Sequence, residues 1–523
     1  MWMTVYGIDL GTTYSCIARI DQAGRPHVIR NVTGEESTPS VVYFETPYNT
    51  VVGKEAKNAA LRDPGLVVAL IKRDMGKRDV RLDFHGQEYS PEGISAFILR
   101  DLVRSAHEAG EIVRDVVITV PAYFGVAERE ATRTAGEIAG LNVVNVVPEP
   151  VAAALYYGVL NAGADRTVLV FDLGGGTFDT TVIKLVGNDV TVVCTDGDHE
   201  LGGADWDEKL AGLVCERFMA EHPDSDATES EDFLQDVGLL AEDMKKALTS
   251  MQRRRQQVHF GGRSALVEIT RQEFEQATAE LLGRTMDITA RTLALAEQRG
   301  VTTFDEVLLV GGSTRMPAVA EALRTRFGFA PKVHEPDLAV AKGAALFALA
   351  QSLKIGGNDA ERLGLSSAAV EAVASRKVTI VTPRAFGVAV VDPEHPEDRK
   401  KFLVAHLLDA NTPLPAQETQ QFQTFDHNQR SIDIEIWEQA GAIASELPEH
   451  NKQIGGACID RLPPLPKDSP VNVTFRMDEN GTLHVTAQDL RTNKTAETEI
   501  KIGDLTRQDV NAAKDAVARM SRI

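Results

Sequence analysis

"VYGIDLGTTYSCIARI" (residues 5–20) and "VLVFDLGGGTFDTTVIKL" (residues 168–185) decide the reading of this chain. Each runs as an apolar strand, then Asp-Leu-Gly, then a turn of small residues, then a second strand. The two aspartates, Asp9 and Asp172, stand 172 − 9 = 163 residues apart. A repeat of that size predicts two similar lobes facing each other. Glycine lets backbone come close to a phosphate, and successive turn N–H groups form an anion-binding nest. Thr12, Thr13 and Thr177 add hydroxyl donors. An Asp at each strand end can hold water on a magnesium ion that bridges phosphates. The bland alternative is a pair of tight hairpins in a core. One such turn would not exclude it, but the matched pair argues against it.

Outward from these hairpins, strand-like runs fall at 4–8, 15–20, 116–120, 168–171, 190–194 and 306–310. Helical patterns fall at 125–139, 150–160, 239–250, 272–298 and 318–327. Strands interleaved with helices predict α/β layers with mostly parallel central strands. No G-x-x-x-x-G-K-[ST] stretch occurs, nor a strand–G-x-G-x-x-G–helix unit, so P-loop and dinucleotide sites are unsupported. A Gly- and polar-rich start to 356–377 marks a domain boundary. Beyond it the pattern becomes period two. "SIDIEIW" (431–437) alternates, and 471–489 alternates on both sides of Asn480-Gly481. Asn-Gly between alternating runs predicts a hairpin with a type I′ turn, so this part is expected to be mostly antiparallel β. Residues 505–523 read as one amphipathic helix.

The 523 residues suffice for two to four domains. Lys and Arg number 55 and Asp and Glu 76, so the formal charge is 55 − 76 = −21. That balance argues against nucleic acid and against adhesion to an anionic membrane. Four cysteines without C-x-x-C argue against a disulfide framework or a zinc ribbon. No apolar run approaches a membrane span, and residues 1–10 lack the pattern of an export signal, so a cytoplasmic location is expected.

A further glycine turn, "LLVGGSTRMP" (308–317), offers Gly311 and Gly312 to a base or ribose and Arg315 to stack on adenine. At this point a family resemblance becomes specific. "GIDLGTTYSCIA", "STPSVV", "IKRDMG", "VVITVPAYF", "PEPVAAALYYG", "FDLGGGTFDTTV", "LGGADWD", "LLVGGSTRMP" and "PDLAVAKGAAL" occur in that order. Together they resemble the ATPase domain of the 70-kilodalton heat-shock chaperones of the DnaK type. "VTPRAFGV", "NTPLPAQETQQFQTFDHNQRSIDIEIWE" and "FRMDENGTLHVTAQD" are similar to that family's peptide-binding β-sandwich. The resemblance implies a two-lobed actin-like, ribonuclease-H-like α/β ATPase domain (1–355) and a linker (356–381). An antiparallel β-sandwich (382–502) and a truncated lid helix (503–523) would follow.

It also implies roles by position. Asp9 and Asp172 would hold hydrated Mg2+, with K+ as a second cation. Gly11, Thr12, Thr13, Tyr14, Gly174, Gly175, Gly176, Thr177, Gly202 and Gly203 would wrap the phosphates of ATP or ADP. Lys72 would orient the attacking water, and Glu149 and Asp179 would complete the water-and-metal network. Adenosine contacts would come from Glu242, Lys245, Lys246, Thr249, Gly311, Gly312, Ser313, Arg315 and Asp337. Without the resemblance, 241–249 reads as a solvated charge face, Lys72 as a solvated helix-end lysine and Pro121 as a strand terminator. With it, Pro121 and Arg129 would relay the nucleotide state. Phe386, Val388, Val391, Phe422, Phe425, Ile432 and Ile434 would line a peptide groove, with Phe425 and Val391 arching over it. Sandwich core is the bland reading of these, and it is preferred for Ile436.

Several positions depart from the family. The long lid is reduced to one helix, which should raise the peptide off-rate. The leucine-rich linker is replaced by Lys377-Val378-Thr379-Ile380-Val381. Asn145 stands where the family often has an arginine for J-domain co-chaperones, and Pro148 and Val151 flank Glu149. The loop 259–268 is short, so weak dependence on a nucleotide-exchange factor is expected. The implied partners are unfolded or hydrophobic polypeptide segments. The leading function is an ATP-dependent chaperone. Alternatives are a lidless chaperone for a dedicated client, a small-molecule kinase of the same architecture, and an actin-like filament protein.

Overall fold

The computed structural model describes residues 5–520, apart from 78, 161–164, 188, 334, 355–363, 365–369, 371–372, 396–397, 399, 442 and 500–506. Most of the linker start (356–372), the first residues of the expected lid (503–506) and its end (521–523) therefore lie outside the described residues.

The two glycine hairpins open two six-stranded sheets of matching order. One runs Asn142–Pro148, Asp115–Val120, Val5–Leu10, Tyr14–Ile20, Pro26–Ile29, with Thr38–Pro39 also on Tyr14–Ile20. The other runs Lys332–Val333, Glu306–Val310, Arg166–Leu173, Phe178–Val186, Asp189–Asp198, Val378–Thr379. In each, the strand carrying the first aspartate pairs parallel on one side and antiparallel on the other. The expected parallel order thus holds for half of each sheet. A tight glycine turn can deliver only an antiparallel neighbour, whereas the parallel partner arrives through a longer crossover.

Apolar alternation closes a core around each sheet. Tyr6, Ile8, Phe44, Phe97 and Ile118 fill one. Phe171, Phe178, Trp206, Phe218 and Phe233 fill the other. Each such side chain contributes about 1.5–3 kcal/mol by leaving water. The helix Ala339–Lys354 lies against Val5–Leu10 and against the helix Glu149–Leu160. Its run of buried alanines permits this close packing.

Two helices differ from the pattern read in sequence. Residues 272–298 form Arg271–Ala277 and Ala279–Gln298, broken at Thr278, whose hydroxyl donates back to the Phe274 carbonyl. The helix expected at 239–250 begins earlier, as Glu231–Leu248, because the Ser230 hydroxyl caps it by accepting from the Phe233 N–H.

Beyond residue 377 the chain builds two four-stranded antiparallel sheets. One is Phe402–Leu408, Phe386–Val391, Ile432–Gln439, Asn451–Ile459, and the other is Ala416–Gln423, Pro470–Met477, Leu483–Asp489, Thr495–Glu499. Their inward residues share one core, including Phe386, Ile434, Val473, Phe475 and Val485. The Asn480-Gly481 turn is not type I′. Met477 pairs with Leu483, only Gly481 has positive φ, and the Asp478 carboxylate accepts from the N–H groups of Asn480 and Thr482. That side chain stabilises a longer loop. The two-residue turn with positive φ at both positions instead joins Arg253–Phe260 to Arg263–Thr270, at Gly261 and Gly262. The stretch 259–268, read as a loop, is therefore largely hairpin.

Several contacts tie this part to the rest. Val378–Thr379 adds a parallel strand to Asp189–Asp198. The Asn411 carboxamide accepts from the Thr195 N–H at 2.7 Å. The helix Arg507–Arg519 packs on Pro91–Glu108 and Val126–Ile138, with Val517 and Met520 buried in the core of the first six-stranded sheet.

Candidate nucleotide site

Between the two six-stranded sheets opens a cleft of about 1170 Å³. Its floor is made by the hairpins. Asp9 is the penultimate residue of the strand Val5–Leu10 and accepts from the Thr119 hydroxyl at 2.8 Å. Asp172 stands opposite Asp179 in the antiparallel register. Asp179 accepts from the N–H groups of Tyr123 at 3.0 Å and Ala122 at 3.2 Å. Lys72 sits on the short turn Ile71–Asp74, which follows Leu70 in the left-handed region at φ 59°. Its Nζ meets Glu149 Oε1 at 2.6 Å, where Glu149 opens the helix Glu149–Leu160. The ammonium also lies 5.8 Å over the Phe124 ring.

Charge is unbalanced here. Asp9, Glu149, Asp172 and Asp179 confront a single ammonium, that of Lys72. Burial pushes the Asp9 carboxyl up to about 7, and the nearby Glu149 charge adds to this. Burial, then Glu149, Asp179 and Asp9, hold Asp172 well above the usual carboxylate range. Burial and Glu149 raise Asp179 to about 7 against the pull of its two N–H donors. Surplus buried negative charge is costly unless a cation offsets it. Among the described residues no group of three or more His, Cys, Asp or Glu side chains is arranged to ligate a bare ion. Two carboxylates on facing hairpins, Asp9 and Asp172, are a donor set that a hydrated divalent cation would fit.

The hairpins touch so closely that only glycine fits. A Cβ on Gly175 would lie 2.3 Å from the Thr13 side chain, and one on Gly176 would lie 2.3 Å from Thr12. Such turns expose N–H groups to an anion. Arg73, beside Lys72, reinforces this from across the cleft. Its guanidinium donates to the Gly176 carbonyl at 3.0 Å and grips Asp205 with two bonds at 3.2 and 2.6 Å. Asp205 in turn accepts from the Gly202 N–H at the start of the helix Gly203–Glu221.

The far wall carries charges in pairs. Lys245 Nζ donates to the Gly203 carbonyl at 2.8 Å and to Asp207 at 2.6 Å. Lys246 meets Glu242 at 2.7 Å and the Tyr14 hydroxyl at 3.0 Å. Glu242 also pairs with Lys57 on the opposite wall of the cleft. Burial alone would raise Glu242, but the two lysines hold it down at about 2. Ser313 donates to the Gly174 carbonyl, and Arg315 pairs with Asp337.

Of the nucleotide residues expected from sequence, Asp9, Gly11, Thr12, Thr13, Tyr14, Lys72, Glu149, Asp172, Gly174, Gly175, Thr177, Gly203, Glu242, Lys245, Lys246, Thr249, Gly311, Gly312, Ser313, Arg315 and Asp337 border this one cleft. Gly176, Asp179 and Gly202 contact residues of its floor from behind. Arg129 is buried away from it and donates to the Phe124 carbonyl at 2.9 Å, and burial brings its guanidinium down to about 10. Pro121 ends the run after Asp115–Val120. In the C-terminal sheets Phe386, Val388, Ile432 and Ile434 are buried with Ile436, while Val391, Phe422 and Phe425 are half-buried. Lys467 Nζ lies 5.6 Å over the Phe425 ring.

Sequence reading passed over Arg73, Asp205, Asp207 and Lys57. The first three stand inside the quoted motifs "IKRDMG" and "LGGADWD" and were visible as charges there. Lys57 lies in no motif and shows itself only through its partner across the cleft.

A family model described as Hsp70 protein matches residues 5–522. The chain belongs to the Hsp70 family. Hsp70 proteins are ATPases that bind ATP or ADP with Mg2+ and act as ATP-dependent chaperones on unfolded polypeptides. Among the described residues of this Hsp70 protein, no helix is long and apolar enough to cross a membrane.

Proposed function

We propose that this protein hydrolyses ATP between its two glycine hairpins and uses the cycle to set the affinity of residues 382–502 for apolar peptide segments. In this reading 1–355 is a two-lobed actin-like ATPase domain, 356–381 the linker, 382–502 a β-sandwich and 503–523 the start of a helical segment that follows it. The observation that carries it is the Lys72–Glu149 pair, buried at 4% and 8% exposure beside the carboxylates of Asp9, Asp172 and Asp179 and the glycine turns. Phosphoryl transfer asks mainly for positioning and charge stabilisation. Lys72 orients a water toward the γ-phosphorus and stabilises the charge that develops as the β–γ bridging bond breaks. Asp179, held by the N–H groups of Ala122 and Tyr123, suits a group that takes the water's proton. Bound Mg2+ supplies neutralisation of the leaving phosphate oxygens. The turn and wall residues from Gly11 to Asp337 hold the nucleotide.

The β domain supports the chaperone reading over a small-molecule kinase, which has no use for it. Co-chaperone use is read from departures: Asn145 in place of an arginine, and a compact 253–270 hairpin, both favour weak dependence on J-domain and exchange-factor partners. The deciding experiment is the affinity of an apolar peptide measured in ATP and in ADP. Weaker binding in ATP is expected. Equal affinity in both would remove the coupled reading while leaving nucleotide binding intact.

A further inference from the structure

Glu438 of the C-terminal sheets is buried at 1% exposure, inside an interface with the ATPase part. Its Oε1 accepts from the Val126 N–H at 3.2 Å, the first residue of the helix Val126–Ile138. That helix starts at Gly125 with no side-chain cap of its own. A Cβ on Gly125 would lie 2.4 Å from Glu438 Oε1, so glycine there makes the seat. Carboxylates are favoured at helix N-termini. Arg384, 4% exposed at its side chain, stands 3.7 Å from Glu438 and 3.7 Å from Glu128 of the same helix. Its guanidinium lies 5.0 Å over the Tyr123 ring. The seat is imperfect. Arg384 Nε and Nη2, Glu128 Oε2 and the Tyr123 hydroxyl are buried without a hydrogen-bond partner among the described residues.

We propose that Glu438, Arg384 and Glu128 form an ionic latch that docks the peptide-binding part on the ATPase part and keeps that docking weak enough to reverse. Two carboxylates share one guanidinium, so the cation is indispensable. The unsatisfied polar atoms subtract from the gain of burial. The latch also reaches the nucleotide floor through one residue. Tyr123 packs its ring against Arg384 while its N–H donates to Asp179 Oδ1. A shift of the Ala122–Tyr123 backbone at Asp179 therefore moves the surface on which Arg384 rests. The role in coupling rests on the proposed ATPase reading; the latch as a docking device does not.

The test is hydrogen exchange at the Val126 amide of the full chain, since that N–H is closed off by Glu438 only when docked. Arg384→Met leaves two carboxylates buried together and is expected to lower protection at least tenfold. Glu128→Gln removes the surplus charge and is expected to leave protection equal or higher. Unchanged protection in Arg384→Met, or a loss in Glu128→Gln as large as in Arg384→Met, overturns the latch. Circular dichroism checks folding. If Arg384→Met does not fold, Arg384→Lys, which cannot span both carboxylates, is read by the same criteria with a smaller loss expected. Nucleotide affinity is measured in parallel: it fails together with the ATPase reading and is independent of the latch.

Discussion

Lys57 on the helix Lys54–Ala59 and Glu242 on the helix Glu231–Leu248 meet as an ion pair across the mouth of the cleft. Both are partly exposed, at 25% and 20% of their side chains. Glu242 is shared with Lys246, which also reaches Tyr14. One carboxylate thus joins the two walls of the pocket that would enclose a nucleotide. Opening the cleft breaks this pair and exposes both charges.

Lys57→Ala should therefore speed nucleotide release more than it slows entry. A partly exposed pair is worth about 0.2–1 kcal/mol, so the ADP off-rate should rise by roughly 1.4-fold to fivefold. Stopped-flow release of a fluorescent ADP checks this. The effect should shrink in high salt for the wild type, because screening weakens the same pair. An unchanged off-rate at low salt would show that the clamp does not limit opening.

Lys72→Ala removes the ammonium that pairs with Glu149 among the floor carboxylates. Loss of a preorganised charge of this kind costs on the order of 10²–10³ in rate. Single-turnover ATP hydrolysis should fall by that factor, while calorimetric ADP affinity stays within a few-fold. Hydrolysis at the wild-type rate would overturn the role assigned to Lys72.

Gly202→Ala tests the cradle. The added Cβ would lie 2.5 Å from the Gly176 backbone, and no side-chain rotation relieves a contact with main chain. The Gly202 φ of −165° is open to any residue, so the constraint is purely the close approach. Gly176 must move, and with it the carbonyl held by Arg73. Overpacking of this sort costs about 1–3 kcal/mol. Both the melting temperature and ADP affinity should drop, with affinity affected at least tenfold. A drop in melting temperature alone would detach Gly202 from the site.

The parts that sequence reading anticipated are those where one local stretch carries the whole signal. Asp9 and Asp172 were visible because strand, Asp-Leu-Gly and turn lie within a few residues. The side chains that join distant stretches were not. Arg73 meets Asp205 across 132 residues and Glu438 meets Val126 across 312, and no spacing rule connects such pairs. Turn chemistry was half legible. Asn480-Gly481 marked a reversal, but the Asp478 carboxylate selects its geometry, whereas Gly261-Gly262 takes the two-residue form unaided. Thr278 shows the same limit for helices: the apolar period runs on through 272–298, and a local hydroxyl–carbonyl bond accompanies the break.

Docking through Glu438 should depend on pH, with a sign set by its surroundings. Burial, then the Glu128 charge, raise its carboxyl from 4.5 to about 7, against Arg384, the Val126 N–H and Lys452. In the undocked state the group returns toward its ordinary value, so docking takes up a proton between these limits. Docked stability is then lost as pH rises through 7 and is greater just below it. From pH 8 to 6.5 the docked population should rise by about threefold to fourfold. Below about 6.5 His199 opposes the trend: burial, then Arg384, lower its pKa, so the docked state resists its protonation. Small-angle scattering and Val126 amide exchange across pH 8 to 6.5 check the rise. Glu438→Gln keeps a neutral acceptor at the seat and should flatten the profile over that range. A wild-type profile that falls on acidification from pH 8, or one that persists in Glu438→Gln, would assign the proton to another group.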